Sequence, residues 1–351
     1  MATAAESAAQ FPDGIYPVML TPFTPDGAAV DHECLAALSE WYIQSGSVGL
    51  FPVAQSSEMY ALSPEERIEC ARTVKRAAAG RVPVLASGTF GGPVEEQAAF
   101  VKTMAAEVDA VVVLVCNLAT AEEGDDVWLD RCQKLLDLTP GIKLGLYECP
   151  APYHRLLSPT MLEFCAKSNR FVWIKDTSRE NELISAKIGV LRALPQTPLR
   201  WFNGNVTTLS HSLQAGSQGY GGVSANFYPW MHGWLCANWA KAPEQARKVQ
   251  RFLTVAEATV KTKYPASAKV YLRQAYPHFD ISPFTRVKDF AFLPEDMMKL
   301  RELQLMMEDV CKEIGISPVV PPGFRKVTAA KPAAAAGAAG GKGDTTAFPV
   351  D

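Results

Sequence analysis

The eight cysteines never fall in a C-x-x-C pair, and the five histidines form neither H-x-H nor H-E-x-x-H. Thiols scattered singly through apolar segments read as reduced, buried side chains of a cytoplasmic protein, not as a disulfide framework. Without clustered histidines there is no local motif for a zinc site, and neither a metal nor any other cofactor is expected. Basic residues appear late, the first Lys or Arg being Arg67. The Ala-rich start from Met1 to Gln10 therefore lacks the basic opening of a secretory signal and the arginines of a mitochondrial presequence. No apolar stretch is long enough to span a bilayer. A balance of 34 basic and 37 acidic residues offers no positive surface to nucleic acid or an anionic membrane. The expected partner is a small molecule.

What the chain does contain is alternation. Hydrophobic residues make up 48% of the 351, enough core for one large domain and an appendage. Short apolar runs read as strands at Ile15–Leu20, Val48–Val53, Val82–Ser87, Ala110–Val115, Ile142–Tyr147, Phe171–Lys175, Leu199–Phe202 and Gly219–Val223. Helices are predicted to begin near Asp31, Pro64, Pro93, Asp125, Pro159, Asn181, Val206 and Tyr228. Ser63-Pro64-Glu65-Glu66 supplies an N-cap serine, a proline at the first helical position and a capping-box glutamate.

Eight strand-then-helix units predict an α/β fold, a (β/α)8 TIM barrel. An open doubly wound sheet shares the alternation, but no G-x-G-x-x-G turn follows the first strand. After about residue 240 the pattern is helical only, at Pro243–Lys261, Ala266–Tyr276 and Glu295–Ile314. The predicted organisation is a flexible N-terminus (1–12), the barrel (13–240), a C-terminal helical extension (241–318) and a disordered Ala/Gly-rich tail (319–351).

Lys175 closes a run, Phe171 to Ile174, that reads as a strand buried on both faces. A lysine in such a place must reach water or exist largely as a neutral amine, and a neutral amine can condense with a ketone. The preceding run ends on Tyr147. Side chains alternate along a strand, so on neighbouring parallel strands about 4.8 Å apart Tyr147 and Lys175 would project from one face at one end. In barrels that end carries catalytic groups. The competing reading is a structural lysine paired with a carboxylate and an ordinary strand-end aromatic. After the second strand, Ala54-Gln55-Ser56-Ser57-Glu58 sets hydroxyl groups in a loop, where they and backbone amides can receive a carboxylate.

Together these motifs resemble the dihydrodipicolinate synthase/N-acetylneuraminate lyase family of lysine-dependent, pyruvate-type aldolases, from about Gly14 to Ile314. In that family a Gly-Ser/Thr-Thr-Gly-Glu loop holds the carboxylate of a 2-oxo acid, which here corresponds to Ala54–Glu58. Tyr-x-x-Pro matches Tyr147 to Pro150, the Schiff-base strand matches Ile174-Lys175-Asp176-Thr177, and a Gly-rich eighth strand matches Gly219 to Asn226. Thr21-Pro22-Phe23 follows the first strand as the family's Thr-Pro-Phe does.

The resemblance implies Lys175 and Tyr147 as catalytic residues. It implies Ser56, Ser57, Gln55, Thr177 and Gly221 as substrate contacts. His154, Arg155 and Asn205 are read as contacts to the distal part of the substrate, with surface-loop residues as the competing reading. It also implies a homo-oligomer, dimer or tetramer.

The departures matter as much. Both loop glycines are replaced, by Ala54 and Ser57. The relay tyrosine that the synthase branch carries after strand four is absent from Val115-Cys116-Asn117-Leu118, and Arg155 is an uncertain match for the synthase arginine. Lys-Asp-Thr-Ser is similar instead to the lyase and keto-sugar-acid aldolase branches. The expected activity is cleavage or condensation of a 2-oxo acid through a lysine imine. The rivals are a keto-sugar-acid dehydratase, 4-hydroxy-tetrahydrodipicolinate synthase itself, and a non-catalytic 2-oxo-acid-binding barrel.

Overall fold

The computed structural model describes residues 4–324. Eight strands run parallel: β1 Gly14–Ile15, β2 Leu50–Val53, β3 Val84–Ser87, β4 Ala110–Leu114, β5 Leu144–Tyr147, β6 Phe171–Asp176, β7 Arg200–Asn203 and β8 Gly219–Tyr220. From β2 to β8 each pairs with its sequence neighbour, and β8 pairs with β1. Between β1 and β2 the ring closes through single bonds. Met19 N–H donates to Phe51 O (2.9 Å), Val48 N–H to Ile15 O (3.0 Å) and Phe51 N–H to Pro17 O (3.1 Å). The first strand is shorter than the predicted Ile15–Leu20 because Pro17 has no N–H for a continuous ladder. The eighth is also short, and Gly219 is obligatory there. A Cβ would stand 1.8 Å from the Gly14 carbonyl oxygen. The fold is a (β/α)8 barrel with C-terminal helices.

Helices cover the outside of the ring: α1 Ala4–Gln10, α2 His32–Gln44, α3 Pro64–Ala78, α4 Val94–Ala105, α5 Asp125–Leu138, α6 Pro159–Lys167, α7 Asn181–Arg192, α8 Leu209–Ala215 and α9 Pro229–Asn238. The helix starts follow local chemistry. Ser63 Oγ accepts from Glu66 N–H (3.2 Å) while Glu66 Oε2 accepts from Ser63 N–H (3.0 Å), and Ser158 Oγ caps Met161 N–H (3.2 Å). Three further helices, α10 Pro243–Lys261, α11 Ala266–Ala275 and α12 Pro294–Ile314, form the extension. In α10, Ala246, Val249, Phe252, Leu253, Ala256 and Val260 make one buried stripe at helical spacing. Burying each large apolar side chain contributes roughly 1.5–3 kcal/mol.

The described residues extend into both predicted terminal segments. The N-terminal segment expected to be flexible contains α1. Its Ser7 hydroxyl donates to Pro198 O (2.6 Å), and Phe11 is fully buried at the end of the barrel where the strands begin. At the other end, residues 319–324 still pack on the body. Trp41 Nε1 donates to Val319 O (2.8 Å), and Phe324 bridges Phe279. The rest of the expected tail, 325–351, lies outside the described residues.

The barrel interior is aromatic. Trp173 stacks on Phe202 with centroids 5.5 Å apart, meets Phe51 edge-on at 5.6 Å, and Tyr16 packs edge-on against Phe202 at 4.7 Å. This layer is the floor beneath the strand ends. Among the described residues no helix is long and apolar enough to cross a membrane, and no group of three His, Cys, Asp or Glu could hold a metal ion.

Candidate active site

Tyr147 and Lys175 are register partners at the C-terminal ends of β5 and β6. The Lys175 Nζ stands 4.2 Å from the centroid of the Tyr147 ring, and both side chains are buried. Alternation explains the placement. Trp173 faces the interior, Lys175 is two residues further along the same face, and Tyr147 lies beside it with its own ring edge-on to Phe51. Gly204, just after β7, leaves space for the lysine. A Cβ at this position would lie 2.8 Å from Lys175 Cε and 2.7 Å from Asp176 O. Sequence reasoning missed Gly204, because only the strand neighbourhood shows what it makes room for.

The residue after each of these two points outward, away from the barrel. Glu148 and Asp176 are fully buried between the wall and α7, and Lys187 of α7 reaches both. Its Nζ donates to Glu148 Oε1, to Asp176 Oδ2 (2.8 Å) and to Ser178 Oγ (2.8 Å). Glu148 also accepts from Leu157 N–H (2.8 Å) and Thr177 N–H (2.9 Å). Burial, then repulsion from Asp176, pushes the Glu148 carboxyl up to about 7 against the pull of Lys187. Burial alone would lower the Lys187 ammonium, but Glu148 and then Asp176 reverse this and hold it raised. Neither Glu148 nor Lys187 was singled out from sequence.

Thr177 does lie beside the pair. Its hydroxyl donates to Glu148 O (2.7 Å) and stands 2.8 Å from His154 Nε2. A hydroxyl has one proton, so His154 must be the donor and carry its hydrogen on Nε2. His154 thus joins the β6 end through Thr177.

The loop after β2 forms two short 3₁₀ turns, Gln55–Ser57 and Met59–Ala61, joined by Glu58 at φ 57°. Ser56 is buried in the first turn. Ser57 is bonded within the loop and to the first barrel segment. Its Oγ donates to Met19 O (2.6 Å) and accepts from Ala54 N–H (3.1 Å), so its single proton braces the loop. Gln55 Oε1 accepts the Cys149 thiol (3.7 Å), which links this loop to the Tyr147–Pro150 segment. Glu58 is buried and anchors the loop to the extension. It accepts from Lys269 Nζ (2.8 Å), Arg286 N–H (2.6 Å) and Val287 N–H (3.2 Å). Burial, only partly offset by Glu58, lowers the Lys269 ammonium.

The other three predicted contacts have partners of their own. The Arg155 guanidinium is held by Thr120 O (3.1 Å), Glu123 O (3.0 Å) and Asp125 Oδ1 (3.0 Å), so it fastens the segment leading into α5. Asn205 caps the 3₁₀ turn Val206–Thr208, its Oδ1 accepting from Thr207 N–H (2.9 Å). Gly221 sits a layer below Lys175. Its N–H donates to Asn203 O (2.8 Å), and a Cβ there would face Tyr16 O and the Trp173 ring.

The model of the dihydrodipicolinate synthetase family matches residues 11–276. The chain is 29% identical over 226 residues to a 4-hydroxy-tetrahydrodipicolinate synthase of Polynucleobacter asymbioticus, covering 64% of this chain and 71% of that protein. It is 29% identical over 174 residues to the enzyme of the same name from Jannaschia sp., covering 49% of this chain and 57% of the relative. The chain therefore spans little more than half of the Jannaschia protein's length. In fold it is similar to YagE, a prophage protein of the dihydrodipicolinic acid synthase family from E. coli K12 solved in complex with pyruvate. The TM-score is 0.74 at 23% identity, covering 84% of this chain and 99% of the other. A family match running from the first buried aromatic to the end of α11 establishes that the chain belongs to the dihydrodipicolinate synthetase family.

Proposed function

We propose that the protein is a Schiff-base lyase that cleaves, or in reverse condenses, a 2-oxo acid to pyruvate and an aldehyde. The observation that supports this most is the Lys175 amine 4.2 Å from the centre of the Tyr147 ring at the mouth of the barrel. The Lys175 amine adds to the C2 carbonyl, and water leaves as the protonated imine forms. The imine draws the C3–C4 bonding pair toward nitrogen. As that bond breaks, the C4 hydroxyl gives up its proton and the aldehyde departs. The enamine left on the lysine takes a proton at C3, and water then releases pyruvate. An ordinary phenol titrates near about 10, so Tyr147 works by passing the proton along a hydrogen bond, with the substrate carboxylate as partner. The loop of Gln55 and Ser56, with its backbone amides, receives the carboxylate and fixes the reacting bond in place. Thr177, oriented by His154, faces the hydroxyl-bearing part of the substrate.

A second reading, 4-hydroxy-tetrahydrodipicolinate synthase, draws support from the names of the relatives. Against it stands Arg155, already held by three acceptors. The reaction takes place in the cytoplasm, in a homo-oligomer, without a cofactor. Borohydride reduction in the presence of pyruvate tests the chemistry, with the adduct mapped by peptide mass spectrometry. An N-(1-carboxyethyl) group on Lys175, the reduced pyruvate imine, is the expected result, and Lys175→Ala should lose both the adduct and turnover while melting as a folded protein. An unmodified Lys175 overturns the reading. A coupled assay with pyruvate and aspartate semialdehyde separates lyase from synthase.

A further inference from the structure

Two residues that point away from the reacting groups directly follow them in the chain: Glu148 after Tyr147, and Asp176 after Lys175. Lys187 rises from α7 between them, buried like both carboxylates. From the positions of its partners we infer that Glu148 and Lys187 form a clasp behind the barrel wall that positions the imine-forming pair and releases it when Glu148 takes up a proton. This deepens the lyase reading and rests on Lys175 being the reactive amine.

One Glu148 carboxylate reaches three parts of the site. It continues the strand that carries Tyr147. It receives the amide of Thr177, two residues beyond Lys175, at 2.9 Å. It receives the amide of Leu157 at 2.8 Å, which fixes the far end of the loop bearing His154. Thr177 then returns its hydroxyl to the Glu148 carbonyl at 2.7 Å. Lys187 locks the carboxylate from behind and holds Asp176 and Ser178 with the same ammonium.

Ion pairs this deeply buried are a poor source of net stability, since apolar residues of equal volume often serve as well. What they supply is fixed geometry. Every hydrogen-bond partner of the Glu148 carboxylate named here is a donor: two amides and an ammonium. A protonated carboxyl would turn an O–H toward groups that can only donate, so one of those bonds must break. The charged and titratable groups facing it are Asp176 from β6 and Lys187 from α7. Tyr147 and Lys175 stand across the wall, and His154 lies beyond Thr177. Burial and Asp176 bring the carboxyl up to about 7, so the release falls within the working pH range.

The test uses deuterium exchange at the pyruvate methyl group, which reports imine and enamine formation without knowledge of the aldehyde. Borohydride trapping is run in parallel across pH 5 to 9. In the unsubstituted protein kcat for exchange should fall as the pH drops below about 7. Lys187→Met removes the charge that opposes protonation, so the acid limb should move to higher pH. Glu148→Gln leaves the Lys187 ammonium paired with Asp176, carries no uncompensated charge and remains the test if Lys187→Met does not fold. It should lose the limb, with kcat down by roughly 10- to 100-fold and KM for pyruvate little changed. An unaltered acid limb and kcat in Glu148→Gln overturn the clasp. Absence of any pyruvate adduct in the unsubstituted protein overturns the lyase reading instead, so the two failures are distinguishable.

Discussion

Gly204→Ala is a small perturbation aimed at one atom of the proposed nucleophile. Gly204 has no positive φ, so alanine meets no backbone strain and the effect is purely steric. The new methyl would lie 2.8 Å from Lys175 Cε, 2.7 Å from Asp176 O and 3.0 Å from Thr177 Cγ2. The Asp176 carbonyl is backbone and already accepts Gly204 N–H at 2.7 Å, so it cannot retreat without breaking that bond. The backbone at residue 204 must shift to clear that carbonyl, and the flexible end of Lys175 is pushed aside with it. Overpacking of this kind costs about 1–3 kcal/mol of stability. A displacement of about 1 Å in a reacting group can cost about 10²-fold in rate. The expected variant therefore melts a few degrees lower yet loses roughly two orders of magnitude in methyl exchange and in borohydride trapping at Lys175. A folded Gly204→Ala protein that traps pyruvate at the original rate would show that Lys175 does not react from the position described.

Tyr147→Phe keeps the ring beside Lys175 and removes only the hydroxyl, so kcat should fall far more than KM rises in steady-state exchange kinetics. Lys269→Met strips the cation from the buried Glu58 carboxylate. Breaking such a pair costs about 3–5 kcal/mol by denaturant titration, and because Glu58 anchors the Gln55–Ser57 turn, pyruvate affinity should weaken as well. His232, held between Ser224 Oγ (2.9 Å) and Tyr228 O (3.1 Å), is pushed by burial from 6.5 down to about 3. A depressed histidine adds stability that is complete above its unfolded value and lost as the pH falls from 6.5 toward 3. At about 1.4 kcal/mol per unit, roughly 3 kcal/mol should disappear between pH 7 and 4.5. His232→Gln should flatten that dependence in urea melts, and an equally steep curve would place the titration elsewhere.

Alternation along strands made the Tyr147–Lys175 pair legible, because a period-two pattern determines both which face a side chain takes and which end of the barrel it reaches. The strand runs were legible too, except where Pro17 interrupts the ladder or where Gly219 admits Gly14 so closely that only two residues pair. Asn205 carried a readable sign of its structural role, an N-cap residue directly before a predicted helix start. Lys187 could also have been noticed. It falls within the stripe Ile184, Ile188 and Leu191 on α7, and a lysine at a buried helical position needs anionic partners. Which carboxylates those are depends on the outward faces of two strands in register, and no spacing along one element encodes that. The same limit hid the commitment of Ser57 to Met19 and of Arg155 to the segment before α5, since hydroxyls and guanidinium groups take the nearest acceptor that folding provides. Lys269 poses the problem again on α11, where its partner Glu58 lies 211 positions away in the chain. Periodicity can show that a lysine is buried; only the assembled barrel shows which carboxylate answers it. For Lys187 and Lys269 that partner braces a segment bearing the candidate site.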